Sequence, residues 1–539
     1  MAQSYILVEA VNIYANVLDT NQLSVIRGSS FLLKQAIDHI AEEFKTQLTP
    51  ISTGASSGLF LIEGSNDRNQ LVKGIAKKLN EHPYYQLFTF IVESCQAEDL
   101  IQAKEQLIAQ LRITQMQSLT FVPDTKDEKE ASQPDQLEGR RISIKNLKRR
   151  VQSKDNNDRQ LSHSVCTRLD YGRELKQSFY FKDEEIKKSL EEYRFSDHFE
   201  DLANNPAYRK LNGKIAVVYM DGNSFSNKQR TLLEKAHEQG EDLIQAQQDF
   251  DQYIQGKRST FLHRLLQEII KEESSRFNDA ITSGENGKKI ICFETLLWGG
   301  DEMLFVLPAW LGFEFIQYFF EQTKEWKVGE EALTHAAGMV FCSAKTPIRN
   351  IRNLAQSIAE SVKDSKGGRD QNAWNYMVLE SIDYPTDNDI AAFNEKHYGE
   401  TLTQSKPDFL PASSEWQATI KDTVHKLLND RVLPRRQLYR IVQIITHPDN
   451  NTPPSILSWE VLKSAKNDPK QTPLENQQIR LLQVSDDQNH LKEALPKIAE
   501  QLFGLDIDQP EERTWLWIHL YELWSYICPE ITETKGDAS

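Results

Sequence analysis

Apolar residues in the first hundred positions switch between two periods. Tyr5 to Val11 is a nearly unbroken apolar run of strand length, and Phe31 to Phe44 repeats at helical spacing. A turn comes next around Gly54 to Gly58, and then the pattern runs helix, strand, helix. From Lys214 the same succession returns: a strand at Ile215 to Met220, helices, a hairpin at Gly299-Gly300, a helix at Gly312 to Thr323, a strand at His335 to Cys342 and a helix at Ile351 to Lys363. The chain is therefore expected to be internally duplicated. Strands alternating with helices, plus one hairpin per copy, suit a ferredoxin-like mixed sheet with helices on one face, so the predicted class is α+β.

Between the copies, Pro123 to Asp158 is rich in Asp, Lys, Gln and Ser and poor in large apolar residues, which predicts an exposed linker. Its tail carries Arg140, Arg141, Lys145, Lys148, Arg149 and Arg150, a basic run that could meet phosphates or simply be solvated. After Pro385 the pattern becomes helical and ends in a stripe of Trp515, Leu516, Ile518, Leu520, Leu523, Trp524 and Ile527, expected to face a core. Four units result: 1–122, 123–210, 211–385 and 386–539, the last all-helical.

At 539 residues the chain exceeds what one core organises, and its net charge of -16 argues against coating a duplex while leaving room for a local basic groove. The five cysteines fall in no CxxC pair and no Cys/His group at zinc spacing, so no zinc is expected. Without a signal peptide or an apolar run of membrane-spanning length, a cytoplasmic chain with no membrane partner is predicted.

The candidate chemistry lies at two strand ends. Ile215 to Met220 leads into Asp221-Gly222-Asn223, and Gly299-Gly300-Asp301-Glu302 separates a strand predicted over Lys289 to Trp298 from the apolar run Met303 to Leu307. Glycines in such a turn let a nucleotide approach the backbone. If the two strands are neighbours, Asp221 and Asp301 emerge at one edge. Paired carboxylates there can hold two Mg²⁺ (or Mn²⁺) ions roughly 3.5 to 4 Å apart for nucleotidyl transfer. Glu302 could complete the metal shell, orient the hydroxyl or stand beside the site. Gly222, Asn223 and Ser224 precede a helix whose first amides could cradle a triphosphate.

These residues resemble the large polymerase-like subunit of type III CRISPR effector complexes, a relative of the GGDEF cyclases. Ser24 to Leu33 looks like the family's first-palm helix entry, and Ala55 to Phe60 like its degenerate first hairpin. Asp221-Gly222-Asn223 and Gly299-Gly300-Asp301-Glu302 look like the active second palm. Ala337 to Val340, Pro347 and the helix from Leu354 resemble the family's next strand and helix, which would make Lys363, or else Lys366, the lysine that contacts phosphates. The resemblance implies two palm domains, the first degenerate. It also implies condensation of ATP into cyclic oligoadenylate, activation through guide RNA paired with target RNA, and docking of other CRISPR subunits on the helical end. Arg27, Ser56, Ser57 and Gly58 stand where the first palm would help bind a second nucleotide.

The chain departs from that family in three respects. No His-Asp dipeptide of an HD nuclease occurs, so no DNase activity is expected; Cys166 stands alone where a zinc module would sit; and Glu302 replaces the commoner second Asp. Two alternatives compete with the cyclase: a stand-alone cyclic dinucleotide synthase, and a non-catalytic scaffold for RNA and subunits. For the scaffold, Arg431, Arg435, Arg436 and Arg440 could line a groove.

Overall fold

The computed structural model describes the whole chain except residues 1, 55, 65, 119, 123–130, 145–146, 150–157, 175–192, 197, 272–275, 284–288, 300, 380–383, 386–388, 413–415, 417–419, 429–430, 447–456 and 532–539. Its class is α+β, as the alternating periods predict. In the first sheet, Gln3–Val11 lies between Ser57–Ile62 and Thr89–Ala97, antiparallel to both, with Leu48–Thr53 on the outside. In the second, Glu294–Gly299, Glu302–Pro308, Lys214–Gly222 and His335–Ser343 repeat that order, and Ala373–Val378 and Leu410–Pro411 extend it.

The helix expected over Phe31 to Phe44 starts at Leu23 and ends at Glu43. Its first turns carry Ser24, Arg27 and Ser29, polar residues that apolar periodicity cannot see, yet all three are buried. What buries them is the helix His163–Glu174, which crosses close enough that a Cβ on Gly28 would sit 1.9 Å from the Arg168 carbonyl oxygen, and one on Gly172 1.9 Å from that of Ser24. Glycine at both positions is what permits this crossing.

Alternate residues of Lys214–Gly222 feed different cores. Ala216, Val218 and Met220 pack with the helices Leu243–Ile270 and Ala309–Thr323, whereas Ile215, Val217 and Tyr219 pack with the helix Ile348–Asp364 and the first unit. Both faces of this strand are apolar, so both are covered, and the expectation of helices on a single face does not hold. The strand predicted over Lys289 to Trp298 is two strands. Lys289–Ile291 belongs to a small sheet with Ile281–Ser283 and Tyr193–Phe195, and only Glu294–Gly299 joins the main sheet.

The region read as an exposed linker is partly ordered and partly buried. Ala131–Pro134 pairs with Ile142–Ile144, and Lys148–Arg149 with Arg159–Gln160. Arg141 is buried and donates to Asp19 at 2.8 Å, an acid that Arg168 also holds, while Arg149 donates to Asp170 at 3.1 Å. Those two arginines are thus partnered within the chain rather than offered to phosphates; Lys145 and Arg150 lie outside the described residues. The Trp515 to Ile527 stripe is buried throughout, on the helix Pro510–Ile527, and shares a continuous core with the second sheet. Arg435 caps that region, donating to Glu530 and Ser525. Among the described residues no helix is long and apolar enough to cross a membrane.

Candidate active site at two strand ends

Antiparallel pairing of Lys214–Gly222 with Glu302–Pro308 sets Asp221 directly opposite Glu302. Opposed residues share a face, so these two carboxylates stand on the same side of the sheet. The Gly222 amide donates to the Asp301 carbonyl at 3.2 Å, which brings the two acidic turns edge to edge. Sequence predicted this adjacency only if the strands were neighbours, and they are.

Lys363, in the last turn of Ile348–Asp364, reaches back over the same edge. Its ammonium lies 2.6 Å from Asp221 Oδ2 and donates to the Gly222 carbonyl at 2.9 Å. Lys366, three residues on, is exposed, and no contact places it at this edge.

The three acids see different surroundings. Burial, then the Asp221 charge, pushes the Asp301 carboxyl up to about 6, against the pull of Lys363. Glu302 is raised by burial and by Asp221, and lowered by Tyr219, Arg352 and Lys363. The turn itself divides two clefts formed against the first unit. Asp301 lines the larger, about 480 Å³, with Arg258, Trp298, Gly299 and residues of the Leu48–Thr53 strand. Glu302 lines the smaller and more apolar, about 200 Å³, with Arg352, Leu304 and Ser56. Lys34 and Trp298 border both.

A divalent cation fits this edge by donor chemistry: hard carboxylate oxygens, with like charges raising one another's proton affinity until a cation relieves them. It does not fit as a finished cage. Among the described residues no group of three or more His, Cys, Asp or Glu side chains is placed to hold a metal ion, and the Lys363 ammonium stands where a cation on Asp221 would. A shell of Asp221, Asp301 and Glu302 requires that Lys363 move and the acids turn inward.

Several of the predicted contact residues also hold the framework of the turn. The Asn223 side chain is buried, and its amide donates to Thr334 Oγ1 at 3.0 Å and to the Gln371 carbonyl at 3.1 Å, tying the turn to the loop before Ala373–Val378. Gly222 is needed for packing, since a Cβ there would sit 2.5 Å from the Phe225 ring. Ser224 holds a left-handed backbone (φ 56) at the start of Phe225–Glu238 and makes no side-chain cap. Gly300 lies outside the described residues.

Of Arg27, Ser56, Ser57 and Gly58, Ser56 lines a cleft, the smaller one. Ser57 pairs with Glu9 in the sheet, and Gly58 makes room for Phe60 and Ile37. Arg27, expected near a nucleotide, is buried, bonded through two nitrogens to Glu294 and through a third to the Gly172 carbonyl at 3.0 Å. Its guanidinium joins the two units.

Arg258 and Trp298 were not expected at the site. Arg258 stacks on the Trp298 ring at 4.4 Å beside Asp301, whose charge opposes the lowering that burial imposes on the guanidinium. A signal existed: Phe250, Ile254, Arg258, Phe261 and Leu265 form one helical stripe, and an arginine inside an apolar stripe calls for a partner.

No family model matches the sequence, and no curated protein matches it. In outline the chain is similar to the large subunits of type III CRISPR complexes. The solved structures include Csm1 of T. onnurineus, 11% identical with a TM-score of 0.42 over 83% of this chain and 62% of that one. A Csm1–Csm4 cassette in complex with one ATP is 11% identical with a TM-score of 0.46, covering 84% and 64%; a type III-B Cmr-beta chain in the apo state is 8% identical with 0.45, covering 95% and 78%. The chain thus spans under two thirds of the Csm1 length. Values this low transfer neither activity nor the role of any residue.

Proposed function

We propose that this chain is a nucleotidyl cyclase that condenses ATP into cyclic oligoadenylate, as the large subunit of an RNA-guided type III CRISPR complex with two palm-like units. The observation that carries the reading is the meeting of Asp221, Asp301 and Glu302 at one edge between two sheets of matching strand order, beside a lysine able to take a phosphate. Asp221 and Asp301 would hold Mg²⁺, which supplies charge neutralisation at the attacking 3′-hydroxyl and the departing pyrophosphate.

The remaining work falls to side chains of this protein. Lys363 leaves Asp221 for a phosphate oxygen, which couples nucleotide entry to the freeing of a carboxylate. Arg258 and Trp298 wall the larger cleft beside Asp301, where the guanidinium stands ready for a phosphate or an acid of the substrate. Ser56 extends the smaller cleft into the first unit, where a second nucleotide would meet the first. Partner subunits carrying guide RNA and target RNA would control the distance between the units.

A scaffold without chemistry is the competing reading, favoured by the Lys363–Asp221 ion pair, which neutralises one of the acids with no ion required. Incubation of the protein, alone and with RNA-bearing partner subunits, with labelled ATP and Mg²⁺ separates them. Cyclic oligoadenylate from wild type and none from Asp301→Asn supports the cyclase. Identical products from both, or none under any condition, removes it; a cyclic dinucleotide points to the stand-alone synthase.

A further inference from the structure

Two links join the Asp221 turn to the end of the helix Ile348–Asp364, and they differ in kind. The first is the Lys363 ammonium on Asp221 and the Gly222 carbonyl, a partly exposed ion pair that a competing ion can open. The second is the fully buried side chain of Asn223. Its NH₂ group donates to the Gly368 carbonyl at 3.3 Å and the Gln371 carbonyl at 3.1 Å as well as to Thr334 Oγ1. Thr334 extends the link, its hydroxyl donating to the Arg369 carbonyl at 3.1 Å.

The loop so held closes the helix end. A Cβ on Gly368 would lie 1.8 Å from the Val362 carbonyl oxygen, so the loop lies against the last helical turn, and Arg369 pairs with Asp364 at 2.9 Å. Val362 and Asp364 flank Lys363 in the chain. Buried hydrogen bonds of this kind are costly to break, because each orphaned carbonyl would stay away from water. The Lys363 backbone is therefore fixed relative to Asp221 whichever partner its ammonium holds.

The first sheet shows the same edge without this tether. Glu9 stands opposite Ser57 as Asp221 stands opposite Glu302, and the Ala10 amide donates to the Ser56 carbonyl at 2.8 Å as that of Gly222 does to Asp301. Arg112, on the helix Leu100–Gln117 that follows the strand Thr89–Ala97, pairs with Glu9 at 3.3 Å, the place Lys363 takes with Asp221. Where the second unit has Asn223, the first has Val11, which offers no side-chain donor. The Arg112 side chain is 57% exposed, against 11% for Lys363.

We propose that Asn223 is a positioning residue of this site, holding Lys363 where its ammonium can pass between Asp221 and a phosphate without the helix moving. The role rests on Lys363 acting as that exchanging cation. A double-variant cycle on the full chain tests it, with Mn²⁺ affinity read by electron paramagnetic resonance and ATP affinity by calorimetry, no turnover being required.

Asn223→Ala should raise Mn²⁺ affinity about two- to fivefold, toward that of Lys363→Met, and weaken ATP binding by a similar factor. In the Lys363→Met background Asn223→Ala should change neither affinity. Thr334→Val, which keeps the shape and removes the hydroxyl, should act in the same direction; it carries the cycle if melting curves show Asn223→Ala unfolded. Equal effects of the Asn223 variant in both backgrounds would overturn the assignment, since the amide would then act on nucleotide or metal directly. No effect in the wild-type background from a folded variant would overturn it as well. If Lys363→Met alone moves neither affinity, the exchange by Lys363 falls and the positioning role falls with it.

Discussion

Lys363 closes an ion pair with Asp221 at 2.6 Å across an edge where two further carboxylates stand, so the positive charge at this site is at present supplied by the chain itself. A divalent cation and the ammonium compete for the same oxygen. Lys363→Met should therefore raise the affinity of Asp221 and its neighbours for Mn²⁺, by about fivefold if the part-exposed pair is worth about 1 kcal/mol. The same substitution should weaken ATP binding through loss of a phosphate contact. Manganese titration monitored by electron paramagnetic resonance checks the first effect, and calorimetry with ATP the second.

Asp301 carries a pH signature. Its carboxyl, pushed to about 6, lies above its unfolded value, so it imposes no penalty at pH values below the unfolded pKa and a growing one as pH rises through about 6. Asp301→Asn should then stabilise the protein at pH 7.5 by an amount on the order of 2 kcal/mol, and the gain should vanish near pH 4. Denaturant unfolding at the two pH values measures it. A gain of the same size at both would show that charge is not the cause.

Arg27 and Glu294 form a fully buried pair that links the helix Leu23–Glu43 to the edge strand of the second sheet. Removing one partner leaves an uncompensated charge in the core, so Arg27→Met alone should cost about 3 to 5 kcal/mol. The double variant Arg27→Met, Glu294→Met should recover most of that loss. Chemical denaturation of both singles and the double completes the cycle.

Gly28 and Gly172 set the helix crossing behind that pair. Since the missing Cβ of Gly28 would fall 1.9 Å from the Arg168 carbonyl oxygen, Gly28→Ala must separate the helices and should destabilise by about 1 to 3 kcal/mol. Gly74→Ala, with its nearest neighbour at 3.8 Å, should be neutral or slightly stabilising because it sits in the helix Arg68–Glu81. Thermal melts of the two side by side test the contrast.

Much of the second unit was legible because its strands are continuous apolar runs and its turns carry Asp-Gly and Gly-Gly. The Asp221 and Asp301 positions come from those turns, and the pairing of their strands turns an adjacency in pattern into one in space. Polar residues buried by partners distant in sequence were not legible. Arg27 meets Glu294 across 267 positions, and Arg141 meets Asp19 across 122, so a local window records only a basic residue. Asn223 shows the same limit: its side-chain NH₂ donates to acceptors at residues 334 and 371, more than a hundred positions away, which a local window does not register.

The sequence by itself determined the α+β alternation, the order of the repeated elements and the placing of an acid at the end of each of two strands, because hydrophobic period and turn chemistry are local properties. Only the tertiary structure decided what those acids face: Lys363 on Asp221, the larger cleft with Arg258 beside Asp301, and the smaller one with Arg352 beside Glu302. The reason is that charge and hydrogen bonding are satisfied across space, by groups that chain distance does not rank.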